Sequence, residues 1–175
     1  MGEVEAAPAG RDLVASARRG DASAFALLLE PLWEPAYKLA YSMLRERAGA
    51  EDAVQEAAAK AWRAAVRLRE DSDDLRPWFL TIVANQCRSM RRSRWARVLR
   101  LARPPERAAA AAGIDDRIDL ERALARLSSE HREALFLRYY LDLPVEDVAR
   151  VAGISIAAAK SRLHRALSAL GPALQ

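Results

Sequence analysis

Cysteine is nearly absent. Cys87 is the only one in 175 residues, so no intrachain disulfide can form. Neither a CxxC nor an HExxH spacing occurs, which removes the common sequence signatures of zinc ribbons, dithiol redox centres and zinc peptidases. Cys87 falls on an apolar helical face and reads as a small buried hydrophobe. A Gly-rich phosphate loop is missing too, as is any Ser/His/Asp set on facing elements. The expectation is a protein that is not an enzyme and needs no metal or cofactor. No apolar run is long enough to cross a membrane, and residues 1–10 lack a signal-peptide core. A cytoplasmic protein without membrane insertion is expected.

Lysine is also scarce, with only Lys38, Lys60 and Lys160, so arginine carries nearly all the positive charge. The net charge of +4 and isoelectric point near 9.6 suit a polyanionic partner. The planar arginine fork matches phosphates and guanine edges. Acids are missing from two stretches. None occurs between Asp74 and Glu106, where eight arginines accumulate, and none follows Asp147. Cations late in a helix suit its dipole, but this excess is larger than capping needs.

What the chain has in quantity is alanine. Hydrophobic residues make up 51% of the sequence, and the alanine share favours helices over sheets. The expected fold is all-α: two small helical domains joined by a flexible linker, the C-terminal one a helix-turn-helix. The boundaries are a tail over 1–20, a first domain over 21–96, a linker over 97–117 and a second domain over 118–175.

Residues 143–167 carry the clearest local signal. Pro144 suits a first helical turn, and Gly153 can take the positive φ that ends a helix. Ser155 is a good N-cap for the next one. Ile156, Ala159, Leu163, Ala166, Leu167 and Leu170 make a stripe at helical spacing. Opposite lie Ala157, Ala158, Ser161 and Arg165, flanked by Lys160, Arg162 and His164. A small, smooth helix N-terminus followed by cations can enter a DNA major groove. The same pattern also fits an αα-hairpin with a solvated basic face.

Upstream, Asp21 or Ser23 can cap a helix that Pro31 and Pro35 interrupt or restart, and Gly49 closes that segment. A helix over 50–68 turns Val54, Ala57, Ala61 and Ala65 inward. Asp52, Gln55 and Glu56 share another face, which suits a protein partner. After a charged loop at 69–76, Pro77 opens a long helix with Leu80, Val83, Cys87 and Met90 inside. Asn85, Arg88, Ser89 and Arg92 lie outside, with Arg91 beside them. A cationic face with Asn and Trp suits single-stranded or distorted nucleic acid. A short helix over 119–128 precedes another capped by Ser129.

Two blocks now resemble one family. The first is Ala50-Glu-Asp-Ala-Val-Gln-Glu, Trp62, Pro77-Trp-Phe-Leu, Ala84-Asn85 and Arg91-Arg92. The second is Leu127-Ser-Ser-Glu-His-Arg-Glu-Ala, Leu137-Arg-Tyr, Leu143-Pro-Val-Glu-Asp-Val-Ala and Lys160-Ser-Arg-Leu-His-Arg-Ala. In this order and separation they resemble bacterial RNA polymerase sigma factors of the extracytoplasmic-function group. The resemblance implies that Asp52, Gln55 and Glu56 dock on core RNA polymerase. It implies that Asn85, Arg88, Arg91 and Arg92 engage the minus-ten element of promoter DNA as it opens. Ala157, Ala158, Lys160, Ser161, Arg162, His164 and Arg165 would read the minus-thirty-five element, and an anti-sigma factor would be a further partner. The family commonly has Gly-Thr-Val where this chain has Ala157-Ala158-Ala159, so base readout there would rest on thymine methyl contacts. The runner-up is a stand-alone helix-turn-helix regulator that binds operators by itself.

Overall fold

A computed structural model describes residues 10–67, 75–101 and 123–170. Among the described residues every regular element is helical. The N-terminal half holds α1 (Gly10–Arg18), α2 (Ala22–Leu44), α3 (Arg47–Ala64) and α4 (Arg76–Leu101). The C-terminal half holds α5 (Ser129–Leu135), α6 (Val145–Ala152) and α7 (Ile156–Leu170). A 3₁₀ turn at Ala65–Arg67 extends α3, and a π turn at Phe136–Tyr140 extends α5. The expected all-α architecture in two helical halves is therefore observed. The charged loop at 69–74, most of the linker and the start of the short helix at 119–128 lie outside the described residues.

Asp21 starts α2 by accepting the N–H groups of Ser23 and Ala24 at 2.9 and 3.1 Å. The helix then runs unbroken through Pro31 and Pro35, against the expected interruption. Each proline forfeits one backbone bond. The stripe of Leu29, Leu32, Ala36, Leu39, Ala40 and Met43, buried on both sides of the prolines, holds the helix together. The break comes later, at Arg45, which takes the left-handed conformation with φ of 57°. Gly49 does not end a segment. It sits buried in the first turn of α3, where an added Cβ would lie 3.3 Å from the Glu46 carboxylate.

The core of this half is built largely from methyl groups. Ala36, Ala40, Ala50, Ala53, Ala57, Ala61, Ala65 and Ala84 are all buried, among Leu39, Val54, Phe79, Leu80 and Val83. Small side chains let α2, α3 and α4 approach closely. Phe25 and Trp62 close one end, ring centroids 5.1 Å apart. Cys87 is fully buried, and burial pushes its thiol up to about 12, so it packs as a hydrophobe.

In the C-terminal half, Ser128 caps α5, one residue before the expected Ser129. Gly153 ends α6 with φ of 69°, and the Ser155 Oγ accepts the Ala158 N–H at 3.2 Å to start α7. Ala159, Leu163, Ala166 and Leu170 face inward as expected, whereas Ile156 and Leu167 are exposed. The two halves are not free of each other. α6 packs on α4, and α5 packs on α2, so one hydrophobic core runs through both.

Candidate polymerase and nucleic-acid interfaces

No acid falls in the first turn of α3, so its dipole does not account for the acidic face that begins at Asp52. Asp52, Gln55 and Glu56 are all exposed on it. Together with Gln86, Ser89 and Met90 of α4 they line a shallow hollow of about 630 Å³. Lys60 donates to the Gln86 Oε1 at 2.5 Å and stands 3.9 Å from Glu56, while Arg63 stands 3.7 Å from the same carboxylate. These exposed pairs hold little energy. They leave Asp52 and Gln55 facing outward as a polar ledge.

On α4 the four residues expected to meet DNA divide. Asn85 and Arg92 are exposed. Arg88 is not on an outer face, as the helical pattern suggested; its side chain is only 21% exposed. It donates to the Glu133 carboxylate at 2.6 Å, to the Asn85 Oδ1 at 2.8 Å and to the Val151 carbonyl at 3.0 Å. Arg91 donates to Glu130 at 3.5 Å. The C-terminal half therefore lies over this stretch of α4. Helical periodicity could mark the face but not what covers it.

On α7, Ala157, Ala158, Lys160, Ser161, His164 and Arg165 are exposed together. The Arg165 Nε donates back to the Ser161 carbonyl at 3.3 Å, which lays the guanidinium along the helix surface. Arg162 departs from the group: it is half-buried and acts electrostatically on Glu133. Ile156, expected in the core, instead enlarges the smooth apolar start of the exposed face.

Glu133 escaped the sequence reading. Its side chain is 2% exposed, on a helix whose next residues, Ala134 and Leu135, belong to the core. An acid on an apolar stripe was the available signal. Burial holds its carboxyl above the ordinary range, with Arg88 pulling the other way. Burial also acts to raise Glu130, but its own backbone N–H, the Ser128 hydroxyl and Arg91 outweigh it and hold that carboxyl low. A second feature missed was an apolar groove of about 560 Å³ between α2 and the C-terminal half. Tyr37, Tyr41, Phe136, Tyr139, Tyr140 and Leu167 line it.

Among the described residues no cluster of His, Cys, Asp and Glu could hold a metal ion, and no helix is long and apolar enough to cross a membrane. The chain matches the family model for sigma-70 region 2 over residues 31–97 and that for sigma-70 region 4 over residues 117–170. It is 32% identical over 170 residues to the ECF RNA polymerase sigma factor SigL of Mycobacterium tuberculosis, spanning 89% of this chain and 94% of that one. To SigM of the same organism it is 31% identical over 160 residues, spanning 91% and 81%. The fold is similar to the sigma factor RpoE of Bartonella quintana, solved with the anti-sigma factor NepR. That match has a TM-score of 0.71 at 29% identity, over 86% of this chain and 96% of that one. It is also similar to CnrH, solved with the cytosolic domain of CnrY, with a TM-score of 0.70 at 27% identity over 95% and 97%. With both regions in order and relatives matched over most of their length, the chain belongs to the extracytoplasmic-function group of RNA polymerase sigma factors.

Proposed function

We propose that residues 21–96 work as region 2 and residues 118–175 as region 4 of this sigma factor, with 97–117 between them. Asp52, Gln55 and Glu56 bind core RNA polymerase. Asn85, Arg88, Arg91 and Arg92 take the minus-ten element and its unpaired strand. The exposed face of α7, from Ala157 to Arg165, reads the minus-thirty-five element in the major groove. The protein acts by binding, not by catalysis, in the cytoplasm: contacts to unstacked bases repay the few kcal/mol that each costs to flip. One similar structure contains the anti-sigma factor NepR, which supports such a protein as a further partner.

The observation that carries the polymerase assignment is the joint exposure of Asp52, Gln55 and Glu56 on one ledge of α3, away from its buried face of Ala50, Ala53, Val54, Ala57 and Ala61. Among the described residues Asp52 and Gln55 are exposed and are not part of the core. Reversing Asp52 and Glu56 to lysine should weaken capture of core polymerase in a pull-down while the circular dichroism stays unchanged. Undiminished capture would remove this surface from the reading.

A further inference from the structure

The apolar groove between α2 and the C-terminal half shares no residue with the polymerase ledge or the DNA faces, and its two ends differ in charge. At one end Lys38 of α2 donates to the Tyr140 hydroxyl and lies over that ring. At the other end the Arg132 Nε of α5 donates to the Ser42 carbonyl at 2.9 Å. Between these ends Tyr37 stacks on Tyr41 and Phe136 on Tyr140, with ring centroids 6.4 and 4.6 Å apart. Tyr139 and Leu167 add to the apolar lining. From Lys38 to Arg45 the α2 wall rises about 10 Å. The volume of about 560 Å³ lies within the range of about 300–1,000 Å³ typical of small-ligand pockets.

The Lys38 end is neutralised, with Glu34 standing 2.5 Å from the ammonium. The other end is not. Among the described residues the half-buried Arg132 guanidinium donates only to carbonyl oxygens, those of Ser42, Leu124, Ala125 and Leu127. Arg45, exposed at the C-cap of α2, lines the same groove, and no acid is among the described residues that line it. Burial, then Arg45 and Arg91, hold the Arg132 guanidinium below its ordinary value, and Glu130 offsets them only in part. Two cations therefore face one end of an apolar slot, an arrangement that favours an anion beside them.

We propose that this groove binds a small amphipathic carboxylate, a medium-chain fatty acid. Its carboxylate lies against Arg45 and Arg132, and its acyl chain runs along the aromatic lining toward Tyr140. The guanidinium fork takes a carboxylate through paired hydrogen bonds, and each methylene buried against the rings adds affinity. The shape favours a free fatty acid over a bilayer. A concave slot takes in one chain, whereas bilayer insertion needs an apolar face that projects.

The test is an NMR titration of the full chain with sodium octanoate and with 1-octanol, its neutral counterpart. Octanoate should shift the signals of Tyr139, Tyr140 and Leu167 saturably. It should bind about tenfold tighter than 1-octanol, the effect of one charge-assisted contact. Arg45→Gln, at an exposed position, should remove most of that preference. Arg150→Gln makes the same change of charge on α6, away from the groove, and should keep it. Leu167→Glu, also at an exposed position, should weaken both ligands. Equal binding of octanoate and 1-octanol by the parent would overturn the carboxylate site. So would a preference that survives Arg45→Gln, or one that Arg150→Gln lowers as much. Undiminished binding to Leu167→Glu would place the ligand elsewhere and overturn the groove. Absence of octanoate shifts overturns the proposal as well, and movement of the same signals on dilution of the protein would then assign the groove to a second copy of the chain.

Discussion

Ser128 and Ser129 stand side by side at the start of α5, and their hydroxyls meet different surroundings. The Ser128 Oγ accepts the His131 N–H at 3.2 Å. The Ser129 Oγ is buried and meets no partner among the described residues. An N-cap contributes about 1 kcal/mol, while a buried hydroxyl without a partner costs about 1–3 kcal/mol. In urea unfolding, Ser128→Ala should lose about 1 kcal/mol, and Ser129→Ala should gain up to that amount. Equal losses for both would mean that the cap is wrongly assigned. The sequence reading placed the cap at Ser129, because helical periodicity does not fix a boundary within one residue. The paired aromatic closure of Phe25 on Trp62 was no easier to foresee, because which faces meet is a tertiary fact.

At the scale of helices, the inward stripes of α3, α4 and α7 were largely legible, because apolar spacing fixes a face. The continuity of α2 was not. Proline rules describe a local cost, and here buried residues flanking Pro31 and Pro35 outweigh it. Ile156 and Leu167 fell on the apolar stripe of α7 but are 44% and 39% exposed, since no element among the described residues covers the two ends of that stripe. The exposed faces of α4 and α7 make different demands, so their variants should separate. Arg165→Ala should weaken promoter binding by about 1–3 kcal/mol if the guanidinium makes a paired base contact. It should spare transcription from a template already melted at the start site. Asn85→Ala should leave upstream recognition intact and reduce permanganate reactivity of unpaired thymines. Swapped outcomes would exchange the roles of the two helices.

For the whole molecule, the two-part organisation could be read from the sequence, but the packing of one half on the other could not. A linker rich in alanine and arginine suggests independence, whereas tertiary contacts such as that of Glu133 with Arg88 reveal the closure. Its acid response has a definite sign. Burial raises the folded-state value of Glu133 above 4.5, with Arg88 and Arg162 opposing and Glu130 adding. Its contribution to stability is therefore fully present below the unfolded value and is lost as pH rises through the folded one. Glu130, held low, contributes above 4.5 and loses its contribution as pH falls through its folded value. The two oppose each other on acidification. Glu133→Gln removes the favourable member, so its melting temperature should fall more steeply than the parent's from about pH 7 to pH 4. Parallel curves would contradict the burial of that carboxyl. The alanine interior of the N-terminal half has a calorimetric consequence. Methyl groups bring little apolar area out of water when α2, α3 and α4 come apart. The share of the unfolding heat capacity that falls to these residues should then lie below the ordinary value of about 12–15 cal/mol/K per residue, as calorimetry would show. The stability curve is correspondingly shallow, varying less between cold and warm than that of a domain filled with leucine and phenylalanine.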